Sequence, residues 1–242
     1  LMHHALLQCE NCSSLFVEVL PDSDELIRNY VDASFDSQVE SEFAAKTYCR
    51  YLDKLNLIRG KRILDIGCGD GAFIQLALVL GADSVQGIEP SSGALTSAGK
   101  MMDMIRAESI EVCDYSAEFN LVTCFQTLEH VVRPNQTITK MFDALVPGGF
   151  IAVVCHDRLS LVNRLLGRKS PIFDIEHLQM FSSQGLDSLI GKAGLEIVYS
   201  KQIVNRYPLG YWLRLIPLPG SLRKLIEQNR RSYFLSLPIS LM

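Results

Sequence analysis

Residues 62–71 read RILDIGCGDG, a short aliphatic run that ends in a cluster of glycines. Apolar residues then recur at the spacing of one helix face. These residues are Phe73, Leu76, Ala77 and Leu80. Gly81 follows them and supplies a stop for the helix. The segment therefore predicts a strand, a glycine loop and a helix in direct succession.

The same alternation of strands and helices continues along the chain. Residues 138–145 and 186–193 repeat the helical spacing, and residues 39–55 predict a further helix ahead of the first strand. Strand-like runs fall at residues 84–88, 103–106, 120–125, 150–155 and 195–204. Strands that alternate with helices indicate a mostly parallel sheet covered on both faces. We therefore predict an α/β fold with a doubly wound, Rossmann-like sheet.

Composition narrows the class of protein. Of the 242 residues, 48% are hydrophobic and 21% are charged, so the chain can bury the core of a globular protein. A net charge of −4 is a poor electrostatic match for nucleic acid. Seven irregularly spaced cysteines, with no signal-peptide pattern at the start, predict a reduced, cytoplasmic protein. The longest apolar stretches are too short to span a bilayer.

The sequence predicts three parts of the chain. Residues 1–36 form an N-terminal segment, and residues 37–204 form the Rossmann-like domain. Residues 205–242 hold six Lys or Arg against one Glu, a net charge of +5 that leaves −9 on residues 1–204. This aromatic, basic C-terminal part predicts a cover packed on the sheet, a flap over the substrate, or a shallow contact with a membrane surface.

The glycine loop and the next strand together predict a cofactor that carries a nucleoside. Ligands of open α/β sheets bind beyond the carboxyl ends of the strands, where glycines let the backbone come close. Glu89 ends the second strand, 22 residues after Gly67, and can accept both hydrogen bonds of a ribose diol. A nicotinamide-dependent oxidoreductase is one alternative, although Gly71 stands one residue earlier than the usual glycine spacing of that class.

Five motifs, taken together, resemble one enzyme family. ILDIGCGDG (63–71) resembles motif I of the class I S-adenosylmethionine-dependent methyltransferases, and GIEPS (87–91) resembles their acidic second-strand motif. Three further motifs follow in the family's order: FNLV (119–122), LEHV (128–131) and LVPGG (145–149). Asn120 stands where the family usually has Asp. The resemblance covers about residues 60–200 and extends to the subgroup that includes ubiquinone-pathway O-methyltransferases.

The resemblance implies S-adenosylmethionine as the cofactor and assigns its binding residues. Those residues are Asp65, Gly67, Cys68, Gly69, Glu89, Pro90, Ala107, Glu108, Ser109 and Gln126. It places the 65–69 loop around the methionine moiety and Glu89 on the ribose. Residues 107–109 would flank the adenine, and Gln126 would lie near the transferable methyl group.

Two histidines are candidates for the base that an oxygen acceptor requires, because a hydroxyl must lose its proton when it is methylated. His177 lies in EHLQMFS (176–182), which resembles an E-H-x-x-x-F-S segment of the subgroup. His130 ends QTLEH (126–130), which resembles the E-x-x-E-H of relatives that bind a divalent metal. Gln126 replaces the first Glu of that motif, so we predict no metal and a simple helix start there. A structural role is the alternative for His177.

We therefore predict an S-adenosylmethionine-dependent methyltransferase that acts on a small-molecule acceptor, at oxygen. A lipid-like or glycosylated acceptor fits the C-terminal part, whereas the acidic charge argues against DNA and RNA. A non-catalytic, methyltransferase-like binding module is a further alternative. The oligomeric state is not indicated by the sequence.

Both ends of the chain suggest a truncated protein. LQCENCSSLFV (7–17) resembles the second knuckle of an N-terminal zinc ribbon found in the subgroup, and the first knuckle is missing. One C-x-x-C supplies only two of the four ligands of a structural zinc site, so we predict no zinc. The resemblance also leads us to expect a full antiparallel seventh strand where the chain stops, at residues 237–242.

Overall fold

A computed structural model describes residues 4–21, 38–170 and 172–205, and the residue pairs 207–208, 234–235 and 240–241. The first eight strands are β1 (Leu6–Gln8), β2 (Leu15–Val17), β3 (Arg62–Ile66), β4 (Ser84–Ile88), β5 (Ile105–Arg106), β6 (Phe119–Phe125), β7 (Leu145–Val154) and β8 (Gln179–Met180). Four two-residue strands follow: β9 (Ile203–Val204), β10 (Tyr207–Pro208), β11 (Phe234–Leu235) and β12 (Ser240–Leu241). The helices are α1 (Gln38–Lys54), α2 (Ala72–Val79), α3 (Ser92–Ser97), α4 (Pro134–Asp143), α5 (Leu161–Leu166) and α6 (Ser183–Lys192).

The main sheet has five strands in the order β5-β4-β3-β6-β7, and every neighbouring pair is parallel. The strand order reverses between β3 and β6, so the loop that follows β3 opens at the switch point where such sheets bind ligands. This arrangement confirms the predicted doubly wound, Rossmann-like α/β fold.

The core lies on both faces of the sheet. Successive residues of β3 serve opposite faces, so Ile63 packs beneath α1 and α2 whereas Leu64 packs beneath α4 and α6. Both side chains have no exposed surface. Burial of such a side chain contributes about 1.5–3 kcal/mol, so the strand that carries the glycine loop is among the best anchored in the domain.

Two predicted strands differ from the structure. The strand predicted over 195–204 is wrong: only Ile203 and Val204 are extended in a ladder, and they pair with β12. Ile197, Val198 and Tyr199 are exposed in succession, so neither face of that stretch is buried as a strand of the sheet would be. The strand predicted over 103–106 is shortened to β5, because a 3₁₀ helix occupies Gly99–Met104.

The helix boundaries around the fourth strand also differ. The LEHV motif does not begin a helix, because residues 128–130 form a turn and α4 begins at Pro134. Pro147 and Gly148, in the LVPGG motif that follows the helix predicted over 138–145, lie inside β7. Proline at the first position of α4 accounts for the late start, since its fixed φ suits a helix N-terminus.

The N-terminal hairpin joins the domain through β8. Strands β1 and β2 pair with each other, and β2 pairs with β8, both antiparallel. The division of the chain into three parts stays a prediction, and most of 205–242 lies outside the described residues. Among the helices that are described, none has both the length and the apolarity to cross a membrane.

Candidate cofactor and acceptor site

The loop after β3 depends on glycine. Gly67, Gly69 and Gly71 have φ values of 68°, 55° and 76°, a left-handed conformation that favours glycine. A Cβ at Gly67 would lie 2.1 Å from Oγ1 of Thr127, which is closer than any real contact. The backbone of the loop therefore lies directly against the segment that follows β6.

Glu89 is fixed beside this loop at the end of β4. Its carboxylate is 2% exposed and accepts a hydrogen bond from the backbone N–H of Gly69 at 2.9 Å and another from Ser91 at 2.9 Å. Burial raises the pKa of Glu89, and the two N–H donors oppose that rise. Each oxygen keeps a lone pair, so the carboxylate can still accept two hydroxyl donors.

Asp65 lies beneath the loop as a second buried acid. It is 3% exposed, and its Oδ1 accepts a 2.6 Å hydrogen bond from the hydroxyl of Thr123. Burial raises the pKa of Asp65 to about 7; the bond from Thr123 opposes this rise, and the nearby charge of Glu89 adds to it. The sequence did not identify Thr123 as a site residue.

A cleft of about 330 Å³ opens over the loop. Seven of the predicted site residues line it: Asp65, Gly67, Cys68, Gly69, Glu89, Gln126 and His130. Helix α1 forms the opposite wall through Ser41 and Tyr48. The amide Nε2 of Gln126 donates to the Tyr48 hydroxyl, and the Tyr48 ring lies 4.4 Å from that of Phe125. The cleft thus has an acidic floor and a partly aromatic wall.

A second cleft of about 630 Å³ adjoins the first. The two share Gly67, Thr127 and His130, and the second is also lined by the predicted residues Pro90 and Ser109. Two predicted cofactor residues lie elsewhere: Ala107 and Glu108 line neither cleft. Glu108 instead pairs with Arg106 at 2.9 Å on the surface.

The candidate bases His130 and His177 lie together, with ring centroids 4.7 Å apart. Nδ1 of His130 is 3.0 Å from the carbonyl oxygen of Glu176, and Nδ1 of His177 is 2.8 Å from that of Ile172. A carbonyl can only accept, so both Nδ1 atoms donate and each neutral ring keeps a lone pair on Nε2. His130 lines both clefts, whereas His177 is 9% exposed and lines neither.

His130 stays neutral at physiological pH. Burial is the main cause that lowers the pKa of His130 to about 4; the adjacent His177 ring acts in the same direction, and the carboxylate of Glu129 acts in the opposite direction. A neutral imidazole at the junction of the two clefts can accept a proton.

Glu129, which is buried, and His156, which is partly exposed, form a pair that the sequence did not reveal. Oε1 of Glu129 accepts hydrogen bonds from the backbone N–H of His156 at 2.7 Å and from its Nδ1 at 3.2 Å. Burial raises the pKa of Glu129, but the bonds and charges of the histidines outweigh burial and bring it to about 2. The His156 ring lies 5.6 Å from His177. Its position just after β7, at the ligand edge, is the signal that could have found it.

Gln179 ties the two histidine segments together. Its side-chain Nε2 donates to the carbonyl oxygens of Leu128 at 2.8 Å and Val131 at 2.6 Å. The carbonyl of Glu129 accepts from the backbone N–H of Leu178 at 2.9 Å. The turn that carries His130 is therefore fixed against the strand that follows His177.

Metal ligation is not indicated within the described ranges, which hold no group of three or more His, Cys, Asp or Glu placed to bind a metal ion. The prediction of no metal stays a prediction. So does the zinc-ribbon resemblance: Cys9 and Cys12 are part-exposed free thiols, and Sγ of Cys12 lies 3.4 Å from Oγ of Ser14.

The fold and this site together define a class I S-adenosylmethionine-dependent methyltransferase, as predicted. A family model described as "Methyltransferase domain" matches residues 35–200, so the chain belongs to that family. Its cofactor is S-adenosylmethionine. The nicotinamide-dependent alternative is left without support.

Curated relatives include ubiquinone biosynthesis O-methyltransferases. The protein of Thiobacillus denitrificans is 34% identical over 113 residues, which is 42% of this chain and 47% of that protein. The protein of Psychrobacter cryohalolentis is 33% identical over 158 residues, 61% of this chain and 52% of that protein. The chain thus spans about half the length of the curated relatives that it matches.

Solved structures share the fold. An S-adenosylmethionine-dependent methyltransferase of Thermotoga maritima has a TM-score of 0.53 at 23% identity, over 72% of this chain and 77% of that one. Magnesium protoporphyrin IX methyltransferase of Synechocystis, with bound S-adenosylhomocysteine, has a TM-score of 0.52 at 14% identity, over 75% of this chain and 87% of that one. At these identities the likeness concerns the fold alone.

Proposed function

We propose that the protein methylates a hydroxyl group of a small, lipid-like acceptor and that His130 is the base. The observation that carries this proposal is the bond from Nδ1 of His130 to the carbonyl of Glu176, which places the ring proton on Nδ1 and the lone pair on Nε2 of a residue that lines both clefts. The acceptor oxygen loses its proton to this nitrogen as it gains the methyl group.

The residues of the loop fit the cofactor. Both oxygens of Glu89 are oriented by backbone donors and have capacity left for the two hydroxyls of a ribose. The lack of a Cβ at Gly67 lets the loop pack directly against Thr127, and both residues line the two clefts. Pro90 and Ser109, which line the second cleft, would hold the adenine, and the residues of the first cleft would hold the methionine moiety and the acceptor. When bound, S-adenosylmethionine supplies an electrophilic methyl group on a sulfonium.

The carboxylate of Glu129 stabilises the protonated form of the base. A positive charge forms on His130 when it takes the proton, and the ionised carboxylate of the adjacent Glu129 favours that charge. His156 and His177 act through this pair, so they are positioning residues; this assigns the predicted catalytic role to His130 rather than to His177. Alignment of the two reactants in the cleft lowers the activation free energy, by about 7–11 kcal/mol in favourable cases.

The acceptor class follows from the wall of the cleft and from the relatives. Tyr48, Phe73 and Phe125 line the first cleft and suit an apolar or aromatic acceptor. The names of the curated relatives refer to ubiquinone biosynthesis, which supports a lipid-like acceptor, with a glycosylated one as the alternative. A charge of −9 on residues 1–204 disfavours nucleic acid. A cytoplasmic location stays a prediction.

Calorimetric titration of S-adenosylhomocysteine tests the cofactor site. We expect binding by the wild type, at least tenfold weaker binding by Glu89→Ala, and no binding of NAD. Glu196→Ala is the matched control, because Glu196 is exposed and lines neither cleft. Failure of the wild type to bind at millimolar ligand would contradict the cofactor assignment, and equal binding by Glu89→Ala would remove the ribose role.

A further inference from the structure

Helix α1 is fastened to the domain in two different ways along its length. From Ala44 onward it carries buried side chains of the core: Ala44, Ala45, Tyr48, Cys49 and Leu52. The three residues before Phe43 are polar instead, and none of them is buried: Glu40 and Ser41 are half-buried and Glu42 is exposed. Burial of apolar surface therefore anchors the helix from Ala44 onward, whereas residues 40–42 depend on polar contacts.

A hydrogen bond joins the start of α1 to the cofactor loop. The hydroxyl of Ser41 donates to the carboxylate of Asp70, at 2.9 Å from Oδ2 and 3.0 Å from Oδ1. Asp70 is held on its other side, because its Oδ1 accepts from the backbone N–H of Ala72, the first residue of α2, at 3.2 Å. Ser41 and Asp70 both line the first cleft. Their bond therefore bridges two walls of the cofactor site.

The same bond brings negative charges together. Burial raises the pKa of Asp70, the bonds from Ser41 and Ala72 oppose this rise, and the negative charge of Glu42 adds to it. Acidic residues from several elements line the first cleft: Glu40, Asp65, Asp70, Glu89 and Glu176. Within the described ranges, no Lys or Arg lines that cleft with them. Because like charges repel, a positive charge inside the cleft favours the arrangement in which α1 lies against the loop.

We propose that Ser41 and Asp70 form a latch that closes the start of α1 over the bound cofactor and opens when the cofactor exchanges. Their hydrogen bond holds the latch, and the surrounding carboxylates hold it more firmly over a positively charged ligand than over a neutral one. The sulfonium of S-adenosylmethionine carries a positive charge that the thioether of S-adenosylhomocysteine lacks. The latch therefore favours retention of the methyl donor and release of the spent cofactor. This inference rests on the cofactor alone, not on the acceptor or the base.

Dissociation rates from surface plasmon resonance test the hydrogen bond of the latch. Ser41→Ala removes the bond and should release S-adenosylhomocysteine at least about fivefold faster than the wild type. Ser41→Thr keeps a hydroxyl and should release it within about twofold of the wild-type rate. Thr47→Val is the matched control, because the hydroxyl of Thr47, also on α1, donates within the helix to the carbonyl of Phe43 at 3.2 Å. Equal rates for Ser41→Ala and Thr47→Val would overturn the proposal.

Asp70→Asn separates the charge of the latch from its hydrogen bond. The Asn oxygen can still accept from Ser41 and from the N–H of Ala72, but the negative charge is gone. We expect the wild type to release S-adenosylmethionine at least about threefold more slowly than S-adenosylhomocysteine. Asp70→Asn should reduce that ratio at least about twofold. A ratio that Asp70→Asn leaves unchanged would contradict the proposed selection by charge.

Hydrogen exchange shows which part of α1 moves. The amides of residues 42–45 donate to the first turn of the helix, so their exchange reports on its opening. S-adenosylmethionine should slow their exchange in the wild type more than that of residues 50–54, and Ser41→Ala should lose at least about half of this added protection. Equal protection along the whole of α1 would show that the helix moves as one body and would overturn the latch. Neither measurement involves methyl transfer, so failure of the proposed acceptor chemistry would leave both results readable.

Discussion

Oε1 of Glu129 accepts two hydrogen bonds from the same residue, His156: one from the backbone N–H at 2.7 Å and one from the ring Nδ1 at 3.2 Å. The carboxylate is 1% exposed, and its Oε2 has no hydrogen-bond donor among the described residues. His156 is therefore the principal support of a buried charge that lies beside the base.

Replacement of His156 should weaken the fold at neutral pH and have a smaller effect in acid. The pKa of Glu129 in the fold is about 2, below its ordinary 4.5, so its contribution to stability is present above pH 4.5 and is lost as the pH falls toward 2. His156→Leu removes one of the two donors and should cost about 2 kcal/mol at neutral pH. His156→Asn can keep a donor near the Nδ1 position and should cost less. Chemical denaturation at pH 7 and pH 3 checks both; equal losses in the two variants would contradict the donor role.

His130 should destabilise the fold in a different pH range. Its pKa is lowered from 6.5 to about 4, so the unfolded chain binds more protons between those values and stability falls as the pH drops from 6.5 to 4. His130→Asn removes this titration and should flatten that part of the stability curve. Thermal melting from pH 7 to pH 4 is the measurement. If the melting temperatures of the wild type and of His130→Asn fall equally between pH 6.5 and pH 4, the pKa of His130 is not lowered in the fold.

A methyl group at Gly67 should damage the cofactor loop. Gly67→Ala forces a left-handed residue and places a Cβ 2.1 Å from Oγ1 of Thr127, so we expect a loss of about 2–4 kcal/mol in stability and at least tenfold weaker binding of S-adenosylhomocysteine. Gly60→Ala is the control, because Gly60 has nearly the same φ, 66°, and open space around it. If both variants behave alike, backbone strain alone explains the effect and the close approach of Thr127 does not.

The buried side chain of Gln179 should contribute to the stability of the fold. Gln179→Leu leaves the carbonyls of Leu128 and Val131 without their side-chain donor, which should cost about 2–4 kcal/mol. Gln184→Leu, at an exposed position of α6, should change stability by less than about 0.5 kcal/mol. Urea denaturation compares the two. A Gln179→Leu variant as stable as Gln184→Leu would show that the bonds from Gln179 to these two carbonyls do not stabilise the fold.

The predicted site residues that the structure brings together lie close to one another in the sheet topology. The left-handed glycines and Glu89 lie at the ends of adjacent strands, so the alternation of strands and helices is enough to bring them to one edge. Glu129 and His156 are 27 residues apart in the chain, and Gln179 is 51 residues from Leu128. No short spacing rule connects such partners, because only the packed tertiary structure brings them together.

The strand predicted over 195–204 was also wrong because a strand depends on tertiary partners. Its β-branched and aromatic residues favour a strand locally, but an extended segment becomes a ladder only beside a partner. Among the described residues, a partner is found at Ile203 and Val204 alone, through β12. Ile197, Val198 and Tyr199 are exposed, and no described strand lies beside them.

The assignment of His130 as the base is tested most directly by methyl transfer with a pH profile. Wild type and His130→Asn are incubated with methyl-labelled S-adenosylmethionine and a panel of phenolic lipids and glycolipids, and label in the acceptor is measured from pH 5 to pH 9. The Asn amide can keep the donor to the carbonyl of Glu176 while the Nε2 lone pair is lost. We predict transfer to a hydroxyl acceptor by the wild type and at least about a hundredfold loss in His130→Asn, with unchanged binding of S-adenosylhomocysteine. Transfer at the wild-type rate by His130→Asn would contradict the assignment.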